Sequence, residues 1–214
     1  MVGGSGPSEW NSNGENWETS KTVELWAPGS DGVQCRLPDL PESMSYLSLD
    51  SMLVGYGSGH WETIACHERT CHKFIQGEWE FHRRTLQSRS RHTSAVFYTD
   101  TINGNILLAG GGYETDAQNS TEIVPDDHDQ DLDITEGFGL KHKREGHCSI
   151  QLDHDGFILT GGRYGNSNEV TEYSFRGEGG SPKDLPPLKI GRWDHACGAY
   201  TDNVHGSKVI LLLC

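Results

Sequence analysis

Two Cys-His pairs fall within seven residues, Cys66-His67-Glu68-Arg69-Thr70-Cys71-His72. Thiolate and imidazole are favoured zinc donors in tetrahedral sets, usually with Cys-x(2–4)-Cys spacing. Successive side chains on a strand point to opposite faces, so these four groups do not easily converge. Cysteines at opposed positions of a hairpin suit a cross-strand disulfide or two free thiols. Residues 126–136 carry six carboxylates. A helix-loop-helix calcium loop needs glycine at its sixth position and glutamate at its twelfth. Counted from Asp129, those places hold Ile134 and Leu140, so the run reads as a solvated acidic loop. His92, His147 and His195 each stand three residues after an arginine (Arg89, Arg144, Arg192). A ring of histidines suggests a metal, but recurrence in phase marks structural residues. The same holds for His147-Cys148 and for His195 with Cys197, which imitate a Cys-His nucleophile pair. No cofactor, metal or catalytic constellation is assigned.

The elements that must position these residues are set by a repeat. In residues 106–124 and 157–175 a glycine pair (Gly111-Gly112, Gly161-Gly162) precedes Thr-Glu (Thr121-Glu122, Thr171-Glu172), both at an offset of 11. The histidines are spaced by 55 and 48 residues, and Glu24 lies 98 before Glu122. The Leu-Pro segments at Leu37 and Leu185 are 148 apart. A fixed period near 49 residues decides the architecture before any local reading. Each unit holds about four short strands, such as residues 92–99, 105–110 and 120–124, with a weakly marked fourth near Phe138. The second strand is apolar without alternation, which fits a strand covered on both faces; four to six residues bounded by glycine favour strand over buried helix. No stretch carries a helical apolar period with caps. The expectation is an all-β protein of antiparallel sheets stacked face to face.

The sequence resembles the kelch repeat family of β-propellers. The resemblance rests on Arg-x-x-His before the first strand, the glycine doublet ending the second, and Glu with an aliphatic or aromatic residue in the third. Trp79 in the fourth strand and the Leu-Pro segment 185–188 add to it. It implies blades of four antiparallel strands, about four repeats of about 49 residues. The units are the end of a blade at 1–30, a degenerate blade at 36–76, blades at 77–125 and 138–176, and the start of another at 184–214. In the degenerate unit Met44 and Leu47 replace Arg and His, and Gly55–Gly57 replaces the doublet. The opening Met-Val-Gly-Gly and the closing 208–213 look like interrupted strands, so the expectation is an incomplete propeller whose uncapped edge favours self-association.

In kelch propellers the loops joining second to third strand, and fourth to the next first strand, share one face and often hold protein or peptide partners. Carried over, that face implies Tyr113, Arg144, Tyr164 and Arg192 as partner contacts, with Tyr164 one place displaced from Tyr113. The alternative role of the arginines is to tie adjacent blades together. The functional expectation is a non-catalytic scaffold for a protein or peptide. Alternatives are an extracellular carbohydrate-active or copper-oxidase-like relative, or a truncated product without its own role.

Composition bounds the partners. With 31 acidic and 17 basic residues the net charge is -14, which argues against nucleic acid and anionic membranes. No run is long enough to span a membrane. Six cysteines and the sequon Asn119-Ser120-Thr121 lean toward a secretory origin if the N-terminus is truncated, and otherwise the compartment is the cytoplasm.

Overall fold

The computed structural model describes residues 5–7, 17–19, 23–25, 35–42, 48–54, 60–98, 104–113, 116–125, 133–153, 156–175, 181–202 and 207–213. Residues 1–4, Met44, Leu47, Gly55–Gly57 and the acidic residues 126–132 lie outside them. Among the described residues the chain is all-β, every strand pairing is antiparallel, and there is no helix.

In chain order, β1 (Ser5–Pro7) pairs with β2 (Trp17–Thr19), and β3 (Val23–Leu25) with β4 (Cys35–Leu37). A sheet of β5 (Ser48–Val54), β6 (His60–Ile75) and β7 (Glu78–Arg89) follows. Then β8 (Thr93–Tyr98) and β9 (Gly104–Ala109) begin a four-stranded sheet. The chain makes a small hairpin, β10 (Gly112–Tyr113) with β11 (Asp116–Ala117), and returns with β12 (Thr121–Pro125) and β13 (Thr135–Glu136). A second four-stranded sheet runs β14 (Cys148–Asp153), β15 (Gly156–Thr160), β16 (Val170–Ser174) and β17 (Pro182–Asp184). Finally β18 (Ala196–Asp202) pairs with β19 (Ser207–Leu213). None of these sheets closes on itself.

The apolar second strands are buried on both faces. Along β9, Ile106 and Leu108 pack with Ile64, Cys66, Cys71, Val124 and Ile134. Leu107 and Ala109, pointing the other way, pack with Phe97, Phe157, Leu159 and Tyr173. Likewise β15 turns Phe157 and Leu159 to that cluster and Ile158 to Ile150 and Val170. Period-two alternation therefore places consecutive sheets in layers that share their cores. Each fully buried Leu, Ile or Phe contributes about 1.5–3 kcal/mol. The middle layer is aromatic, with Phe157 stacked on Tyr173 at 5.4 Å and on Phe175 at 5.5 Å between ring centroids.

The hairpin expected at Cys66 and Cys71 is present and disulfide-bonded, while the unit boundaries and the repeat's register differ from the sequence expectation. β6 is one unbroken extended run that nevertheless reverses at residues 67–70. The Cα atoms of Cys66 and Cys71 are 4.1 Å apart and their sulfurs are bonded. The Lys73 ammonium also meets the Glu62 carboxylate, although a straight strand would hold them roughly 35 Å apart. The next reversal, Gln76-Gly77, has φ of 52° and 92°, the left-handed pair a two-residue hairpin needs. That turn ties β7 to β6, so the sheet boundaries fall at 48–89, 93–136 and 148–184. The divisions expected at 76/77 and 125/138 cut through this pairing and ahead of β13.

The repeat's register also shifts by one residue. The positive-φ doublets are Gly110-Gly111 (59°, 93°) and Gly161-Gly162 (65°, 103°), rather than Gly111-Gly112. Ala109 pairs with Thr121 whereas Thr160 pairs with Val170. Thr121-Glu122 thus occupies the place of Val170-Thr171, and the offset of 11 matched positions one residue out of step. In this register Tyr113 and Tyr164 are equivalents, and the apparent displacement of Tyr164 disappears.

Candidate functional site

Two of the three Arg-x-x-His segments bring the arginine guanidinium onto the glycine turn of a sheet. The Arg89 guanidinium, fully buried, donates to Glu122 at 2.8 Å, to the Gly110 carbonyl at 2.8 Å and to the Ser120 carbonyl at 3.0 Å. Glu122 is further saturated by the Leu86 and Gln87 amides at 2.8 and 3.0 Å. Arg144 repeats the arrangement with Glu169 at 3.0 Å and the Gly161 carbonyl at 3.3 Å. With Glu62–Lys73 inside β6 and Arg89–Glu122 joining β7 to β12, this makes three buried ion pairs among the described residues of the larger sheets and their turns. Burial pushes the Arg89 guanidinium down from its ordinary value, against the pull of Glu122.

The histidines serve the same frame. His92 Nε2 lies 2.8 Å from Ser48 Oγ, His147 Nε2 2.9 Å from Thr93 Oγ1, and His195 Nε2 2.8 Å from Thr160 Oγ1. Burial, then the neighbouring Arg89 charge, lowers His92 to about 3. Burial, then Arg144, holds His147 well below its ordinary value. Their in-phase recurrence reflects these inter-strand contacts. Among the described residues no three of His, Cys, Asp and Glu converge on one point. The thiols that imitated ligands or nucleophiles are consumed in the disulfides Cys66–Cys71 and Cys148–Cys197.

The backbone then lines the loops up. Gly111 donates to the Arg144 carbonyl and Gly162 to the Arg192 carbonyl, both at 2.9 Å. Gly146 donates to the Arg91 carbonyl at 2.9 Å and Asp194 to the Gly146 carbonyl at 2.7 Å. Arg144 donates its amide to the Gln118 carbonyl, and Arg192 to the Ser167 carbonyl. Residues 116–120, 140–146, 163–168 and 188–194 therefore abut in order along one end of the molecule.

The four residues implied as partner contacts separate on this frame. Arg144 is 1% exposed and its guanidinium is turned to Glu169, so it ties elements together and has no surface to offer a partner. Arg192 is half-buried, with Nε 3.4 Å from the Ile190 carbonyl. Tyr164 is 63% exposed, on a left-handed residue at φ 66°. Tyr113 holds the matching place in β10, where its backbone pairs with Asp116; its side chain lies outside the described residues.

Sequence reasoning missed the neighbours of Tyr164. Trp193 is 50% and Ile190 69% exposed, and the Arg163 guanidinium sits over the Trp193 ring at 5.3 Å. Trp193 fills a variable place of Arg-x-x-His where the other units have Ser90 and Glu145. A large aromatic at a place that is small or charged in the other units was the available signal. Glu169 was missed too, because Glu172 drew attention; Glu172 pairs instead with Lys183 at 3.0 Å.

Beside this patch is a cleft of about 270 Å³ lined by Lys141, His142, Asn166, Glu169, Asp184 and the aliphatic wall of Val170, Leu185 and Pro187. Glu169 gives one oxygen to Arg144 and to Thr171 (2.6 Å), while the other faces His142 Nε2 at 3.3 Å. Lys141 spans both Asp184 oxygens at 2.7 and 2.8 Å. Where Glu122 is closed off by backbone amides, Glu169 keeps a side open to this cleft.

By fold the chain is similar to the solved structure of YjhT, with TM-score 0.62 and 11% identity over 86% of this chain and 70% of that one. No protein-family model and no curated protein matches it. The likeness carries the fold alone, and function has to be argued from the loops.

Proposed function

We propose that the chain builds kelch-type propeller blades, about four units of about 49 residues, and serves as a non-catalytic scaffold holding a protein or peptide on its aligned loops. What supports the blade reading is the repeated Arg–Glu pair at the glycine turns, with His–hydroxyl and glycine–arginine ties between successive sheets. The observation that carries the binding role is the exposed set Tyr164, Ile190 and Trp193 with Arg163 on two abutting loops. Tyr, Trp and Arg dominate binding energy at interfaces because they join large contact area to directional hydrogen bonds. Their side chains are exposed together and take no part in the buried Arg–Glu and His–hydroxyl contacts beneath.

The test is selection of displayed peptides on the wild-type chain, repeated on Tyr164→Ala and Trp193→Ala. Each variant should melt like the parent and lose roughly tenfold or more in affinity for the selected peptides. Undiminished binding by both folded variants rejects the site.

A carbohydrate-active relative is the second reading, and the cleft favours it. A partly open carboxylate beside an imidazole, with paired donors and acceptors against an aliphatic wall, suits a small hydroxyl-rich ligand. Ligand-observed NMR with a panel of monosaccharides separates the two. Signals abolished by Glu169→Gln support it, and no signal removes it.

A further inference from the structure

We infer that Asn119 carries an N-linked glycan and that the chain matures in an oxidising, glycosylating compartment. Asn119-Ser120-Thr121 is the sequence's one Asn-x-Ser/Thr triplet, and its middle residue is not proline. It lies between β11 and β12. The backbone there is held, with the Leu140 amide donating to the Asn119 carbonyl at 2.6 Å and the Gln118 amide to Gly111 at 2.8 Å. The Asn119 side chain is exposed. A glycan therefore leaves the surface without disturbing the fold.

The register supplies an internal contrast. Asn168 takes the place of Asn119 in the following unit, accepting from the Leu188 amide at 2.8 Å. It is half-buried and followed two residues later by Val170 in place of a hydroxyl residue. The frame uses the backbone carbonyl at both places, which any residue supplies, but only at Asn119 is an asparagine side chain exposed with a hydroxyl residue two positions on.

The second, independent observation is the disulfide pair. Cys148–Cys197 joins β14 to β18 across 49 residues, and Cys66–Cys71 closes the turn of β6. Bonds of this kind persist in oxidising compartments and are rare in the cytosol. The same compartments hold the glycosyl donor, a lipid-diphosphate-linked oligosaccharide. In the transfer the Asn119 amide nitrogen bonds to the donor's anomeric carbon, and the carbon–oxygen bond to diphosphate breaks. The lipid diphosphate leaves, and the amide proton passes to a base of the transferase. In the folded chain the Thr121 hydroxyl donates to the Phe138 carbonyl at 2.6 Å and is buried. Transfer thus precedes the closing of β12 over Phe138.

The test is non-reducing peptide mass spectrometry on the protein isolated from its own cells. The Asn119 peptide should carry a hexosamine-based glycan, and amidase release should leave aspartate at 119. The Asn168 peptide should be unmodified, and Cys148 and Cys197 should be found linked. An unmodified Asn119, or free thiols at both cysteine pairs, overturns the inference. Asn119→Gln in the same cells should migrate with the amidase-treated parent and unfold at the same temperature. If it migrates with the untreated parent, the glycan is not on Asn119.

Discussion

Arg144 Nη2 lies 3.0 Å from Glu169 Oε1, and both groups are withdrawn from solvent at 1% and 9% side-chain exposure. The same arginine closes on the Gly161 carbonyl, so one side chain joins the segment leading into β14 to the connection between β15 and β16. Removing one partner of a buried pair leaves the other charge uncompensated, at about 3–5 kcal/mol. Arg144→Met should therefore lower the urea midpoint strongly. Arg144→Met with Glu169→Leu should recover much of the loss, because paired apolar groups leave no orphaned charge. An equal loss in both would place the stabilisation elsewhere on Arg144.

The fold was legible where burial imposes a period, and the site was not. β9 and β15 read as two-sided strands because their residues are apolar without alternation, and both sit between cores. Pairing register was harder. A loop two residues shorter in the second unit, nine residues between Thr160 and Val170 against eleven between Ala109 and Thr121, lets Glu169 do there what Glu122 does in the first, and spacing alone aligned Glu122 with Glu172. The hairpin at Gln76-Gly77 was hidden because a non-glycine residue takes the left-handed first place. Trp193 and Ile190 follow no period, since nothing in the frame constrains side chains that point to solvent.

Gly110 is fixed by both backbone and neighbours. Its φ is 59°, and an added Cβ would meet the Arg144 carbonyl at 2.7 Å and His147 Cε1 at 2.8 Å. Gly110→Ala should lose about 3 kcal/mol from left-handed strain and overpacking together. Gly77, at φ 92° with nothing within 4 Å, should lose only about 1–2 kcal/mol as alanine. Chemical denaturation of the two variants checks the order, and equal losses would mean the inter-sheet contact at Gly110 adds nothing.

The two disulfides should contribute unequally. Loop-closure entropy gives about 4 kcal/mol for the 49-residue separation of Cys148–Cys197 and about 2 kcal/mol for the five-residue separation of Cys66–Cys71. Cys148→Ser with Cys197→Ser should then lower the unfolding midpoint further than Cys66→Ser with Cys71→Ser. The reverse order would mean that loop-closure entropy of the unfolded chain does not set their ranking.

Acid should weaken the fold from near neutrality. His92 is lowered to about 3 by burial, then by the charges of Arg89 and His67, against an ordinary value near 6.5 in the unfolded chain. Between these values the unfolded state binds a proton that the native state refuses, so stability rises with pH there. The contribution is complete above about 6.5 and is lost as pH falls toward 3, at about 1.4 kcal/mol per unit for this one histidine. His147 and His195, also lowered first by burial, act in the same direction. Urea midpoints measured from pH 7.5 to 5 should fall for the parent. His92→Gln should start lower, having lost the exchange with Ser48 Oγ, but descend less steeply. Parallel descents for parent and variant would mean that His92 takes up its proton in the folded state.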